Sequence, residues 1–214
     1  MIKTALRTLS FAALSVAAAA SFAPNSAWAQ GAPAGKPVVG AGEVVSFDAG
    51  KMAVKLKDGS TVNLSVPDNA SVSGLQPIPF ADLKKGDYIA TAATKQANGT
   101  LLAREVRIFP EENRGRGEGY STNYGGGGTD ATMTNATVDT ITSMDAKSRS
   151  FKVKYKDGEQ TIVVPESVPL MRTIPADKSL LKPGANITFF ANETPNGFAA
   201  VRFGVGLNGL KPPV

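Results

Sequence analysis

The chain states one structural unit twice. Val54-Lys55-Leu56-Lys57-Asp58-Gly59 returns as Val153-Lys154-Tyr155-Lys156-Asp157-Gly158. Val66-Pro67-Asp68 returns as Val164-Pro165-Glu166, Leu83-Lys84-Lys85-Gly86 as Leu181-Lys182-Pro183-Gly184, and Asn98-Gly99 as Asn196-Gly197. The last three pairs are offset by 98 positions (164 − 66, 181 − 83, 196 − 98) and the first by one more. An ordered series of matches at near-constant offset marks a duplicated unit, so the chain must fold as two copies of what one unit can form.

Inside the first unit the pattern is that of strands. Met52, Val54 and Leu56 fall on one face while Lys55 and Lys57 fall on the other, the period-two alternation of a half-buried strand. Asp58-Gly59 is a hairpin signal, and Val62, Leu64 and Val66 resume the alternation on the return. Glu43 to Phe47 makes an earlier strand. Residues 67–87 are less regular, with room for one helical turn and a tight turn at Gly86. Tyr88–Thr94 and Leu101–Phe109 then flank Asn98-Gly99 as a second hairpin.

The second unit repeats this order, with strands near 136–143, 150–155, 160–164, 186–192 and 198–205. Five short alternating strands close most simply into a small barrel. The expectation is therefore an all-β protein of two tandem five-stranded barrels, spanning residues 41–109 and 133–206. The connection between strands three and four suits an OB-like topology, with an SH3-like barrel or an open sandwich as the alternative. Residues 30–40 read as a flexible lead-in, and residues 207–214 as a tail. The stretch 110–132, with Arg114-Gly115-Arg116-Gly117 and Gly125–Gly128, is too glycine-rich to bury a core and reads as a mobile or extended linker.

The N-terminus reads as an export signal over residues 1–29. Lys3 and Arg7 precede a largely apolar run from Leu9 to Ala23, and Ala27-Trp28-Ala29 offers a cleavage site between Ala29 and Gln30. The expected location is periplasmic or secreted. No later segment approaches the roughly 18 apolar residues of a spanning helix. The sequence has no cysteine, so no disulfide staples the fold and no lipidated cysteine anchors it. Removal of Lys3 and Arg7 takes the formal charge from +5 to +3, a mild cationic bias far from a nucleic-acid footprint.

Other strings carry a resemblance. The doubled strand–Asp-Gly–strand unit, Leu-Lys-x-Gly and Asn-Gly resemble an uncharacterised family of exported bacterial β-domains, a domain of unknown function. Arg107-Ile108-Phe109-Pro110-Glu111, Gly117-Glu118-Gly119, Met133-Thr134-Asn135-Ala136-Thr137-Val138 and Asp177–Ala185 are similar to a two-repeat proteobacterial subgroup, over about residues 40–212. The resemblance implies export and no established catalytic residues. Members sometimes carry a metal-transporter permease label, which the absence of an apolar span after residue 29 contradicts. Where that subgroup has a histidine after the position of Gly119, this chain has Tyr120.

The sequence contains neither His nor Cys. Structural zinc, iron–sulfur, blue-copper and histidine-ligated haem sites are thereby excluded, together with Ser-His-Asp and Cys-His nucleophiles. No cofactor is expected, and the chain reads as a non-enzyme. Glu111, Glu112, Glu118 and Asp130 match no defined calcium loop and read as solvated acids. The outward residues Lys55, Lys57, Lys152, Lys154 and Lys156 form two rows able to meet lipid headgroups or an acidic envelope polymer; the plainer reading is that they keep a sheet soluble. Tyr88, Tyr155, Phe189 and Phe190 are candidate surface aromatics of an OB-like barrel, although most aromatics in units this small belong to the core. The expected role is binding or organising an anionic envelope component; the alternative is an accessory partner of a transport complex, recognised through a sheet edge or the linker.

Overall fold

In the structure, a computed structural model, residues 35–122, 130–143 and 149–213 are described. The export signal, its Ala29–Gln30 cleavage site and Gly125–Gly128 lie outside them. The first repeat supplies β1 (Pro37–Asp48), β2 (Lys51–Leu56), β3 (Thr61–Ser65), β4 (Ser71–Ile78), β5 (Tyr88–Lys95), β6 (Leu101–Ala103) and β7 (Val106–Ile108). After β8 (Gly119–Thr122), the second repeat supplies β9 (Ala131–Ser143), β10 (Ser150–Tyr155), β11 (Gly158–Val163), β12 (Leu170–Ala176), β13 (Asn186–Thr194) and β14 (Gly197–Gly206). The described residues are all-β, with only single 3-10 turns beside the strands.

The alternation produces the strands as expected. Met52, Val54, Leu64 and Val66 are buried, while Lys51, Lys55, Thr61 and Ser65 are exposed. What the alternation does not determine is which strands pair. β1, β2 and β3 form an antiparallel meander, but β1 then pairs with β13, β3 pairs in parallel with β14, and β13 pairs with β14. This terminal circuit therefore closes as β1-β2-β3-β14-β13, with three strands from the first repeat and two from the second. The central circuit closes reciprocally as β9-β10-β11-β6-β5, three strands of the second repeat completed by two of the first. Two barrels in tandem, each built from one repeat, are not what forms. The repeats exchange their last two strands within one chain, and residues from Ala34 to Val214 make a single compact unit.

The cores follow the exchange. One joins Val54, Leu64 and Val66 of the first repeat to Ile187, Phe189 and Phe203 of the second. The other joins Phe151, Val153 and Ile162 of the second repeat to Ile89, Leu101 and Ile108 of the first. Gly40 admits the buried Phe189 ring from the opposing strand, since a Cβ there would stand 2.4 Å from a ring carbon.

Each chain half crosses from one circuit to the other along β4 and β12. These strands pair antiparallel with Leu75 opposite Thr173. Those two residues are 98 positions apart, the offset of the sequence repeat. A pseudo-twofold axis therefore passes between Leu75 and Thr173 and relates the two halves. The region 67–87, read as irregular, contains the β4 strand that makes this crossing.

The supposed linker is also partly built. Glu111–Asn113 is a 3-10 turn, and β8 pairs antiparallel with β9. The Arg114 guanidinium donates to the Gly86 carbonyl at 2.8 Å, and the Tyr88 hydroxyl donates to the Arg116 carbonyl at 3.1 Å. Tyr120 packs on the central core. Glycine excludes this segment from a core of its own but not from lying on another. The lead-in behaves similarly, because Pro37–Gly40 belong to β1 and pair with β13.

Candidate functional site

The exchange leaves a cleft of about 870 Å³ whose walls come from both circuits and whose floor includes β4 and Thr173 of β12. Its lining repeats with the chain. Arg104 and Arg202 are 98 residues apart and both line it, as do Ala90 with Thr188 and Ala92 with Phe190.

Backbone irregularities aim these side chains. In β14, Arg202 lies opposite Phe190 and Ala200 opposite Ala191, which leaves Val201 as an extra bulged residue. Val201 lines the cleft and is 49% exposed, one of two large apolar side chains left so open among the described residues. At the equivalent place in the first repeat, the Arg104 and Glu105 amides both donate to the Ala92 carbonyl, at 2.8 and 3.3 Å, and this break separates β6 from β7. Bulges of this kind re-aim side chains and recur beside functional sites. The Thr91 hydroxyl fixes the break by donating to the Glu105 carbonyl at 2.6 Å.

Charge in the cleft is one-sided. Among the described residues, Arg104, Arg107, Arg116 and Arg202 line it with one carboxylate, Glu105. Glu105 is nearly buried and accepts from Arg107 Nη2 at 3.3 Å. The Arg116 guanidinium donates to Asn113 Oδ1 at 3.0 Å, and the Arg202 guanidinium stacks 3.6 Å from the centroid of Phe190. Four buried polar atoms of lining residues have no hydrogen-bond partner among the described residues: Arg107 Nε, Asn135 Oδ1, Thr173 Oγ1 and Thr188 Oγ1. Unpaired buried polar groups are uncommon in folded proteins. Four gathered on one cleft make it a candidate for a ligand with polar atoms.

The sequence-predicted lysines do not converge here. Lys55 and Lys57 belong to the β2 hairpin of the terminal circuit, and Lys152, Lys154 and Lys156 to the β10 hairpin of the central one. Lys55 lies opposite Glu43 on β1. Lys154 sits 3.3 Å from Asp139, whose carboxyl is held below its usual range, first by the Thr140 hydroxyl and then by this lysine. Of the four candidate aromatics, Tyr88 and Phe189 are core, Tyr155 packs against the central core, and Phe190 alone reaches the cleft. Glu111 is held by Arg114, which keeps its carboxyl low. Among the described residues, no group of three or more His, Cys, Asp or Glu is placed to hold a metal ion, and no helix is long and apolar enough to cross a membrane.

Sequence alone assigns no site to Arg104, Arg107 or Arg202 and places Arg116 in the glycine-rich stretch. Their signal was the repeat offset, which places Arg104 and Arg202 in register. No protein-family model, curated protein or solved structure matches the chain.

Proposed function

We propose that this is an exported, non-enzymatic binding protein of the bacterial periplasm, built as two OB-like barrels with exchanged halves, whose ligand is an anionic component of the cell envelope. The pairing order of each circuit, with its last strand parallel to its third, supports the OB-like reading. The observation that carries the function is the cleft itself, which among the described residues is lined by four guanidinium groups and one carboxylate. Arginine forks suit carboxylate and phosphate groups, and such contacts strengthen where water is partly excluded. The resemblance to exported β-domains agrees with this role.

Retention on heparin and lipopolysaccharide resins at low salt tests the reading. Arg104→Ser with Arg202→Ser is expected to abolish retention. The five-lysine variant (Lys55, Lys57, Lys152, Lys154 and Lys156 to Ser) is expected to elute at the wild-type salt concentration. The reverse pattern moves the site to the lysine rows. Retention unchanged in both variants removes the anionic ligand.

A second reading, an accessory partner of an envelope transport complex, is favoured by the sheet edge at β8. That strand pairs with β9 on one side and ends the strand order, and an open edge can accept a partner strand. Stoichiometric, salt-resistant co-purification of an envelope protein supports it, since polyanions wash off in salt.

A further inference from the structure

The walls of the cleft are equivalent by repeat but unequal in charge. The central-circuit wall carries three of the four arginines with Asn113 and Asn135, and also the half-buried Phe109 and Met133. The terminal-circuit wall carries Val39, Phe190, Val201 and Phe203 with one arginine. Val201 is held open on its bulge, and Phe190 beside it is only half-buried, under the Arg202 guanidinium. An apolar side chain left open costs burial that an apolar ligand would restore. A cleft of about 870 Å³ lies within the range of small-molecule sites and is small for a folded partner or a long polymer.

Resting on the anion-binding reading, we infer that the ligand is a single amphiphilic anion, one acid head on an apolar chain. The head lies against Arg104 and Arg107, where Arg107 Nε and Asn135 Oδ1 are unpaired. Asn135 Nδ2 donates to the Gly117 carbonyl at 3.0 Å. The chain lies along Val201, Phe190 and Val39.

Isothermal titration of the purified protein separates the possibilities. Dodecyl phosphate and dodecanoate, each below its micelle concentration, are compared with inorganic phosphate, acetate and the neutral dodecyl maltoside. The expected result is one dodecyl anion per chain, bound at least tenfold more tightly than its head alone and than the maltoside. The stronger of the two acids tells a phosphate source from a carboxylate source. Val201→Asn, at an open position, is expected to weaken the dodecyl anion roughly fivefold while leaving inorganic phosphate unchanged. Arg104→Ser with Arg202→Ser is expected to bring the dodecyl anion down to the maltoside level.

If the head alone binds as tightly as the dodecyl anion, the amphiphile is overturned and the anion-binding reading stands. Equal binding of maltoside also overturns it, because charge would then contribute nothing. If no anion binds with or without a chain, and the resins also release the protein, both readings fall. The wild-type titrations decide among these outcomes even where a variant does not fold.

Discussion

The Val44 amide, near the start of the first repeat, donates to the carbonyl of Ala185, near the end of the second, at 2.9 Å. Its counterpart Val138 donates to the Asp87 carbonyl at 2.8 Å. The two bonds are the same contact made twice, each between repeats and neither within one.

Cutting the chain between Thr122 and Asp130 should give two fragments that need each other. Each half carries three strands of one circuit and two of the other, so neither completes a core alone. Mixed in equal amounts, they should form a one-to-one complex with the circular dichroism and melting profile of the intact protein. A lone fragment that is monomeric and melts cooperatively would refute the exchange.

Truncating Phe189 to Ala should disturb the other repeat. Phe189 is 2% exposed and packs in the core with Met52 and Val54. The expected cost is about 3–5 kcal/mol. By hydrogen exchange, amide protection should fall first at Met52 and Val54 and least at Phe151 and Val153. Loss confined to residues of the second repeat would contradict this core.

Gly42→Ala should destabilise the terminal circuit. A Cβ at Gly42 would lie 2.3 Å from the Lys55 carbonyl oxygen, a backbone atom that moves only with its strand. Overpacking of this kind costs about 1–3 kcal/mol, measurable as a lower denaturant midpoint. Gly59→Ala meets no neighbour, but its φ of +87° makes alanine strained for a conformational reason instead.

Stability should be nearly flat from about pH 5 to 8, since no histidine titrates there. Asp58, Asp139 and Asp177 are held below their usual range by hydrogen bonds from Ser60, Thr140 and Ser179 respectively. A depressed folded value means that the unfolded chain binds protons first as pH falls. The contribution is therefore complete above the ordinary aspartate value of about 3.9 and is lost as pH drops through the folded values. Asp58 and Asp177 are exposed and Asp139 is half-buried at the surface, so the decline should be shallow. Chemical denaturation across pH 2–8 measures it, and a steep transition near pH 6 would contradict the assignment.

Local structure was legible because it is written in local pattern. The turns fall at Asp58-Gly59, Asn98-Gly99, Asp157-Gly158 and Asn196-Gly197, and Val54, Val153, Leu64 and Ile162 lie on inward faces. Pairing was not legible, and the repeat itself is the reason. When two units carry the same alternation, β1 presents equally suitable partners in β5 and β13, and sequence cannot rank them. β4 was hidden for a different reason. Gly74, Pro77 and three exposed or half-exposed polar residues weaken its strand propensity, and pairing with β12 and β14 makes it a strand. The cleft was illegible because it exists only once the halves have crossed.

The crossing also imposes a timetable on biosynthesis. β1 to β3 are the first strands made, yet β14, which completes their circuit, ends about 140 residues after β3. At ordinary ribosomal speeds that is a wait of about 10–30 s. The middle of the chain has no such delay, since β5 through β11 all lie within residues 88–163. The nascent protein must therefore keep its earliest hairpin unclaimed while the younger part folds beside it, and a chaperone that shields this hairpin would act on the N-terminal segment alone.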